Sequence, residues 1–219
     1  MSVSTLGEVR MNARRAKSFA PTTTRLATAR ERIDRTAYEL FSRHGIRAVG
    51  VDAVIAGAGV AKQTLYRHYP SKNHLALAFL RRREELWTRT WLQREVERRG
   101  GTPGEKLLAI FDTFDKWFRR PDFEACSFAR ILFEYADRGH PLRAATVHHL
   151  RMIRLFISQL ARDAGVRDVD SFARQWQILM MGSIVIAYVG DRVAARRARK
   201  MGELLLARNG IAPWSGGRA

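Results

Sequence analysis

Ala58-Gly59-Val60-Ala61-Lys62-Gln63-Thr64-Leu65-Tyr66-Arg67-His68-Tyr69-Pro70-Ser71-Lys72 is the stretch on which the reading of the whole chain turns. The eight residues ending at Ala58 form a short apolar helical segment, and a second short helix is predicted over 61–69. Proline cannot continue a helix, so Pro70 ends the second one. Between them Gly59 supplies the flexible turn that lets the second helix leave at a steep angle, as a helix-turn-helix requires. Val54, Ala58, Val60 and Leu65 fall where the two helices must pack on each other and on a preceding helix. Lys62, Gln63, Thr64, Arg67 and His68 are donors and acceptors of the kind that read base edges and phosphates. The dipole at that helix's N-terminus also favours phosphate. Tyr66 and Tyr69, three residues apart, could both be core; Tyr69 is expected to be.

Working outward, Ile33, Ala37, Leu40 and Phe41 repeat at helical spacing from Ala29 onward. Arg30, Arg32, Arg35 and Arg43 lie largely off that stripe, and Gly45 is a helix stop. Ser71 is placed to cap a long helix over 72–99 with Leu75, Phe79, Leu86 and Val96 among its apolar positions. Gly100, Gly101, Pro103 and Gly104 close it. Further helices are predicted over 105–119, 125–137, 142–163, 170–188 and 192–207, with Pro121, Gly139, Pro141 and Gly165 as the breaks. No segment alternates with period two for long. The fold expected is all-α with about nine helices: a basic arm over 1–27, a three-helix helix-turn-helix domain over 28–73, a helical bundle domain over 74–208, and a tail over 209–219.

Composition bounds the function. The 219 residues carry a net charge of +18 and a pI near 11.3, which attracts nucleic acid or an anionic surface. An Arg-rich genomic composition is the bland alternative, since most of the basic residues are Arg. The excess is larger in residues 1–100 than in the rest. Arg10, Arg14, Arg15, Lys17 and Arg25 in the arm either touch DNA backbone or only solubilise. A transit peptide is conceivable there; a disordered arm fits better. The single cysteine, Cys126, allows no intramolecular disulfide and suits a reducing cytoplasm. It reads as a small buried residue sooner than as a redox sensor. No apolar run reaches the ~18 residues of a membrane span. No Gly-rich phosphate loop, Gly-x-Ser-x-Gly or metal-spaced cluster occurs, so no catalytic residue, cofactor or metal is expected. His148 and His149 are adjacent and therefore diverge on a helix.

The quoted stretch resembles the signature of the TetR (tetracycline repressor) family, typically Ala-Gly-Val-Ser-x-x-Thr-Leu-Tyr-x-His-Phe-x-Ser-Lys, and the resemblance covers roughly residues 30–78. It implies DNA contacts by Lys62, Gln63, Thr64, Tyr66, Arg67, His68 and Lys72, with Lys62 and Gln63 supplying sequence preference and Lys72 clamping a phosphate. Three positions depart from the pattern. Ala61 lacks the usual hydroxyl cap, Gly50 replaces a Ser or Thr cap, and Ile55 stands where Ala is common.

The resemblance further implies a C-terminal domain that binds a small effector of unknown identity and forms a homodimer on a pseudo-palindromic double-stranded operator. Candidate effector contacts are Trp91, Phe114, Phe128, Trp176 and Met180. Candidate dimer contacts are Ile178, Gly182, Ser183, Ile186 and Ala187, because small residues among large apolar ones let a partner helix approach. Phe123-Glu124-Ala125-Cys126-Ser127-Phe128 resembles a segment of some members written Phe-x-Gly-Cys-x-Phe, with Ala125 in place of Gly. The basic run from Arg192 to Lys200 reads as a solvated face or, less simply, a second anion patch. The expected function is a cytoplasmic regulator of transcription, most simply a repressor released by its effector. An activator of the same fold, or a non-specific nucleic-acid coat, is the alternative.

Overall fold

A computed structural model of the protein describes residues 27–212, and among these the only regular structure is helical. The proposed arm contacts Arg10, Arg14, Arg15, Lys17 and Arg25, and the last seven residues of the tail, lie outside the described residues.

Helix α1 (Ala29–His44) starts at a reciprocal cap: the Thr28 hydroxyl accepts from the Glu31 N–H and the Glu31 carboxylate accepts from the Thr28 N–H. Its inward stripe is Ile33, Ala37 and Phe41; Leu40 is only half-buried. Helix α2 (Val51–Ala58) ends at Gly59, whose φ of 60° and ψ of 46° place it in the left-handed region that a residue without Cβ occupies at no steric cost. Helix α3 (Lys62–His68) follows. Neither Gly50 nor Ala61 provides a side-chain cap, as the sequence led us to expect.

The next helix, α4, runs unbroken over 72–99 after a Ser71 cap on the His74 N–H. Its middle, Glu84–Leu92, is π-helical, a feature the sequence pattern did not announce. The buried positions there are Thr88 and Leu92, and Val96 follows in the α-helical last part, at four-residue intervals. A wider i→i+5 turn keeps such residues in line better than an α-helix does. The same register leaves Leu86, expected among the apolar core positions, half-exposed.

Helix α5 (Pro103–Phe118) is again capped reciprocally, by Thr102 and Glu105, and is the most deeply buried: Leu107, Ile110, Phe111, Phe114 and Phe118 are all fully enclosed. Helix α6 (Ser127–Glu134) is shorter than predicted. Ala125 precedes it at φ 63°, the conformation that the glycine of the resembling segment would take without strain. Helix α7 (Pro141–Asp163) begins one residue earlier than predicted, with Pro141 at its first position, where a proline removes only an N–H that has no intrahelical partner. Helices α8 (Val169–Tyr188) and α9 (Ala194–Arg208) complete the chain.

Two apolar clusters organise these elements. One joins α1, α2, α3 and the first turns of α4 and also takes in Phe128, Ile131 and Leu142 from α6 and α7. The other fills α5, α7, α8 and α9. The packing therefore does not divide at residue 73: α4 belongs to both clusters and links them mechanically.

Candidate nucleic-acid interface

The surface of α3 follows from one burial decision. Leu65 is 0% exposed and pins the helix to α1 and α2, so its neighbours on the opposite face must point outward. Lys62, Gln63, Tyr66 and Arg67 are exposed, and Thr64 and His68 are half-buried. Tyr69 is buried as expected, and its hydroxyl donates to the Asp34 carboxylate on α1. Burial pushes the Tyr69 phenol up from its ordinary pKa, so it stays a donor at neutral pH. The Arg30 guanidinium sits 5.9 Å from the same ring centroid.

Two arginines that sequence reasoning passed over fix the interface from behind. Arg32 donates to the Ala58 carbonyl at 3.0 Å and to the Gly59 carbonyl at 3.5 Å, holding the turn before α3. Arg47 donates to the Glu134 carbonyl at 3.1 Å, and Lys72 Nζ donates to the Arg47 carbonyl at 3.3 Å. Lys72 is thus half-buried, and burial lowers its pKa. The only sequence signal for Arg32 was its place off the apolar stripe, which a solvated arginine would share.

The sequence from 33 to 79 matches the family model described as bacterial regulatory proteins, tetR family. Over 156 residues, 71% of each chain, the protein is 29% identical to the HTH-type transcriptional repressor KstR of Rhodococcus jostii. A 49-residue stretch is 45% identical to MftR of Mycobacterium tuberculosis, a candidate regulator of mycofactocin biosynthesis; that match spans 22% of this chain and only 25% of MftR. The crystal structure of a TetR-family transcriptional regulator from Streptomyces coelicolor superposes with a TM-score of 0.77 at 26% identity, covering 83% of this chain and 89% of that one. The match to the tetR family model spans residues 33–79, and the chain shares the overall fold of TetR-family regulators.

In this fold the five candidate effector contacts do not gather round one cavity. Trp91 lines an open cleft with Trp87 and Trp117. Phe114, Trp176 and Met180 are core residues of the C-terminal cluster. Phe128 belongs to the N-terminal cluster and stacks on His149 with centroids 3.5 Å apart. The five dimer candidates also divide. Ile178, Gly182 and Ile186 are exposed, whereas Ser183 and Ala187 face their own core, on the inward line that also carries Trp176 and Met180. Ser183 Oγ donates to the Met180 carbonyl at 2.8 Å.

Cys126 is half-buried, and burial raises its thiol pKa, the opposite of what a reactive thiolate needs. The basic run is largely committed internally: Arg196 pairs with Asp115 at 3.1 Å, Arg197 with Asp191 at 3.0 Å and Arg199 with Asp112 at 3.0 Å. His149 is buried and His148 exposed, so the two do not share a face. No helix among the described residues is long and apolar enough to cross a membrane.

Proposed function

We propose that the protein is a homodimeric repressor that binds a pseudo-palindromic operator through α3 and is released by a small-molecule effector. The observation that carries the reading is the exposed polar row of α3 on a backbone held from behind by Leu65, Arg32 and the Tyr69–Asp34 bond. In this reading Lys62 and Gln63 reach base edges. Thr64, Tyr66, Arg67 and His68 bind phosphates or flanking edges, and Lys72 draws a phosphate to the start of α4. The charge of +18 supplies the non-specific attraction on which such recognition builds.

Dimerisation is supported by the outer face of α8 and α9, where Ile178 is 70% and Leu204 65% exposed beside a shallow apolar groove that includes Leu179, Met201 and Leu205. Large apolar side chains left together at the surface mark an interaction face, and a two-fold pairing there would present two α3 helices to two half-sites. KstR is named a repressor, which favours repression over activation.

Competition binding tests the proposal. The chain should hold a fragment from upstream of its own gene against an excess of unrelated DNA. Gln63→Ala should change the sequence preference, whereas Lys72→Ala should weaken all DNA and lower the salt slope by about one. Equal displacement by any DNA would leave only a non-specific coat.

A further inference from the structure

A cleft of about 500 Å³ opens between α1, the π-helical middle of α4 and the loop after α5, a size suited to a small molecule. One wall is a cluster of three indoles. Trp87 and Trp91 lie 5.4 Å apart by ring centroid, and Trp117 lies 5.0 Å from the first and 6.0 Å from the second. Trp87 Nε1 is buried without a hydrogen-bond partner. The π-helical turn puts Trp87 and Trp91, four residues apart, onto this one wall.

The opposite side is polar, and one charge there is distinctive. Arg83, at the end of the first α-helical part of α4, donates through Nη1 to Tyr38 Oη at 3.1 Å and to Ser42 Oγ at 3.3 Å, both on α1. Both partners are neutral hydroxyls. The other cleft arginine on the loop, Arg120, is already engaged by both oxygens of Asp122, at 2.8 and 2.6 Å. Glu39 and Arg43 line the cleft four residues apart on α1 and are exposed. Glu124 also lines it, half-buried, from the loop. Arg83 is thus a half-buried guanidinium that ties α4 to α1 and makes no salt bridge; the nearby Asp122 carboxylate feels its charge but spends both oxygens on Arg120, and the planar fork of Arg83 fits a carboxylate better than it fits two hydroxyls.

We infer that this cleft is the effector site and that it takes a planar aromatic carboxylate, its ring against Trp87, Trp91 and Trp117 and its anionic end on Arg83. This deepens the effector-released reading proposed above and rests on it. The consequence for DNA binding follows from the hydrogen bonds. An anion competing for Arg83 draws it from Tyr38 and Ser42 and so loosens α1 from α4. Because α1 carries the Asp34 and Arg32 anchors of α3, the recognition helix loses its fixed position. The ligand must therefore bind the loosened state more tightly than the operator-bound one.

The test is calorimetric titration of the full chain with 2-naphthoate, alongside its neutral and cationic isosteres 2-naphthylmethanol and 2-naphthylmethylammonium. Naphthoate should bind saturably and at least about tenfold more tightly than either isostere, the discrimination expected of a charge-assisted bidentate contact. Arg83→Gln should erase that preference, Arg83→Lys should keep part of it, and Trp91→Ala should weaken all three ligands. Thermal melts of each variant establish that it folds. If Arg83→Gln does not, the isostere series on the unaltered protein still decides. No saturable binding, equal binding of the three, or tighter binding of the ammonium overturns the inference. Operator binding with and without naphthoate is a separate arm. A chain that binds naphthoate but prefers no DNA sinks the regulator reading alone, and one that selects its operator but ignores naphthoate sinks this inference alone.

Discussion

The two ends of the molecule treat buried polar groups differently. Around α3 the part-buried ones are paired, Arg32 with the α2–α3 turn and Tyr69 with Asp34, while at the surface Thr28 and Ser71 cap the starts of α1 and α4. Around α5 and α7 several are not. Trp87 Nε1, Thr88, Thr113, Thr146, His149 Nδ1 and Trp176 Nε1 are buried with no hydrogen-bond partner, as is one Glu134 oxygen, and among the described residues every such atom lies beyond residue 80. An unpaired buried donor or acceptor carries its full desolvation cost, so the C-terminal region gives up stability that the N-terminal one keeps. That contrast suits a rigid reading head joined to a sensor whose packing can change at small cost.

The contrast can be broken by mutation, and the largest effect belongs to the reading head. Leu65→Ala removes its fully buried anchor and should cost about 2–5 kcal/mol, seen as a lower Tm and loss of DNA binding. A pH titration of stability comes next. His149 is pushed down to about 4 by burial, with the nearby His148 charge adding to the effect; Glu84 Oε2, at 3.8 Å, is too distant for a hydrogen bond that would reverse it. The folded state therefore binds fewer protons than the unfolded one between about pH 6.5 and 4. Stability should be full above about 6.5 and fall as pH drops toward 4, by on the order of 3 kcal/mol. Denaturant melts across that range should show the slope, and His149→Phe should flatten it.

Two substitutions sharpen the comparison by having opposite signs. Tyr69→Phe removes the hydroxyl that binds Asp34, leaving that carboxylate to Arg30 at 4.0 Å and to solvent, and should lower stability by about 1 kcal/mol, weakening operator binding with it. Thr113→Val deletes an unpartnered hydroxyl from α5 and should raise the Tm, by about 1 kcal/mol in stability. A loss there would mean that the hydroxyl is satisfied and the contrast false. The smallest expected effect is Ala125→Gly, which relieves a left-handed φ of 63° and should stabilise by roughly 1 kcal/mol or less.

What the sequence disclosed and what it concealed divide along the same line. The turn at Gly59, the face of α3 and the burial of Tyr69 were legible because each depends on residues a few positions apart. The π-helical stretch of α4 was not, since Trp87 packs there against Phe114 and Trp117 of α5, contacts that no local pattern records. The break around Gly139 was legible too, but the following helix starts at Pro141 itself and not at 142, because a missing N–H costs nothing at a first helical position. Ser183 and Ala187 are small, as an interface residue or a core residue can be, and only the packing of α8 shows that they face inward. Arg32 showed only as a residue off the apolar stripe, and Arg47 and Arg83 carried no local signal; their roles depend on carbonyls and hydroxyls distant in sequence.

Operator recognition as proposed requires α3 to lie in the major groove. Tethering iron-EDTA to Gln63→Cys, in a Cys126→Ala background, and mapping cleavage of the upstream fragment tests this directly. The predicted result is two clusters of cuts on opposite half-sites, one helical turn (~34–36 Å) or somewhat more apart. Cleavage spread evenly along the fragment, or matched on unrelated DNA, would contradict it.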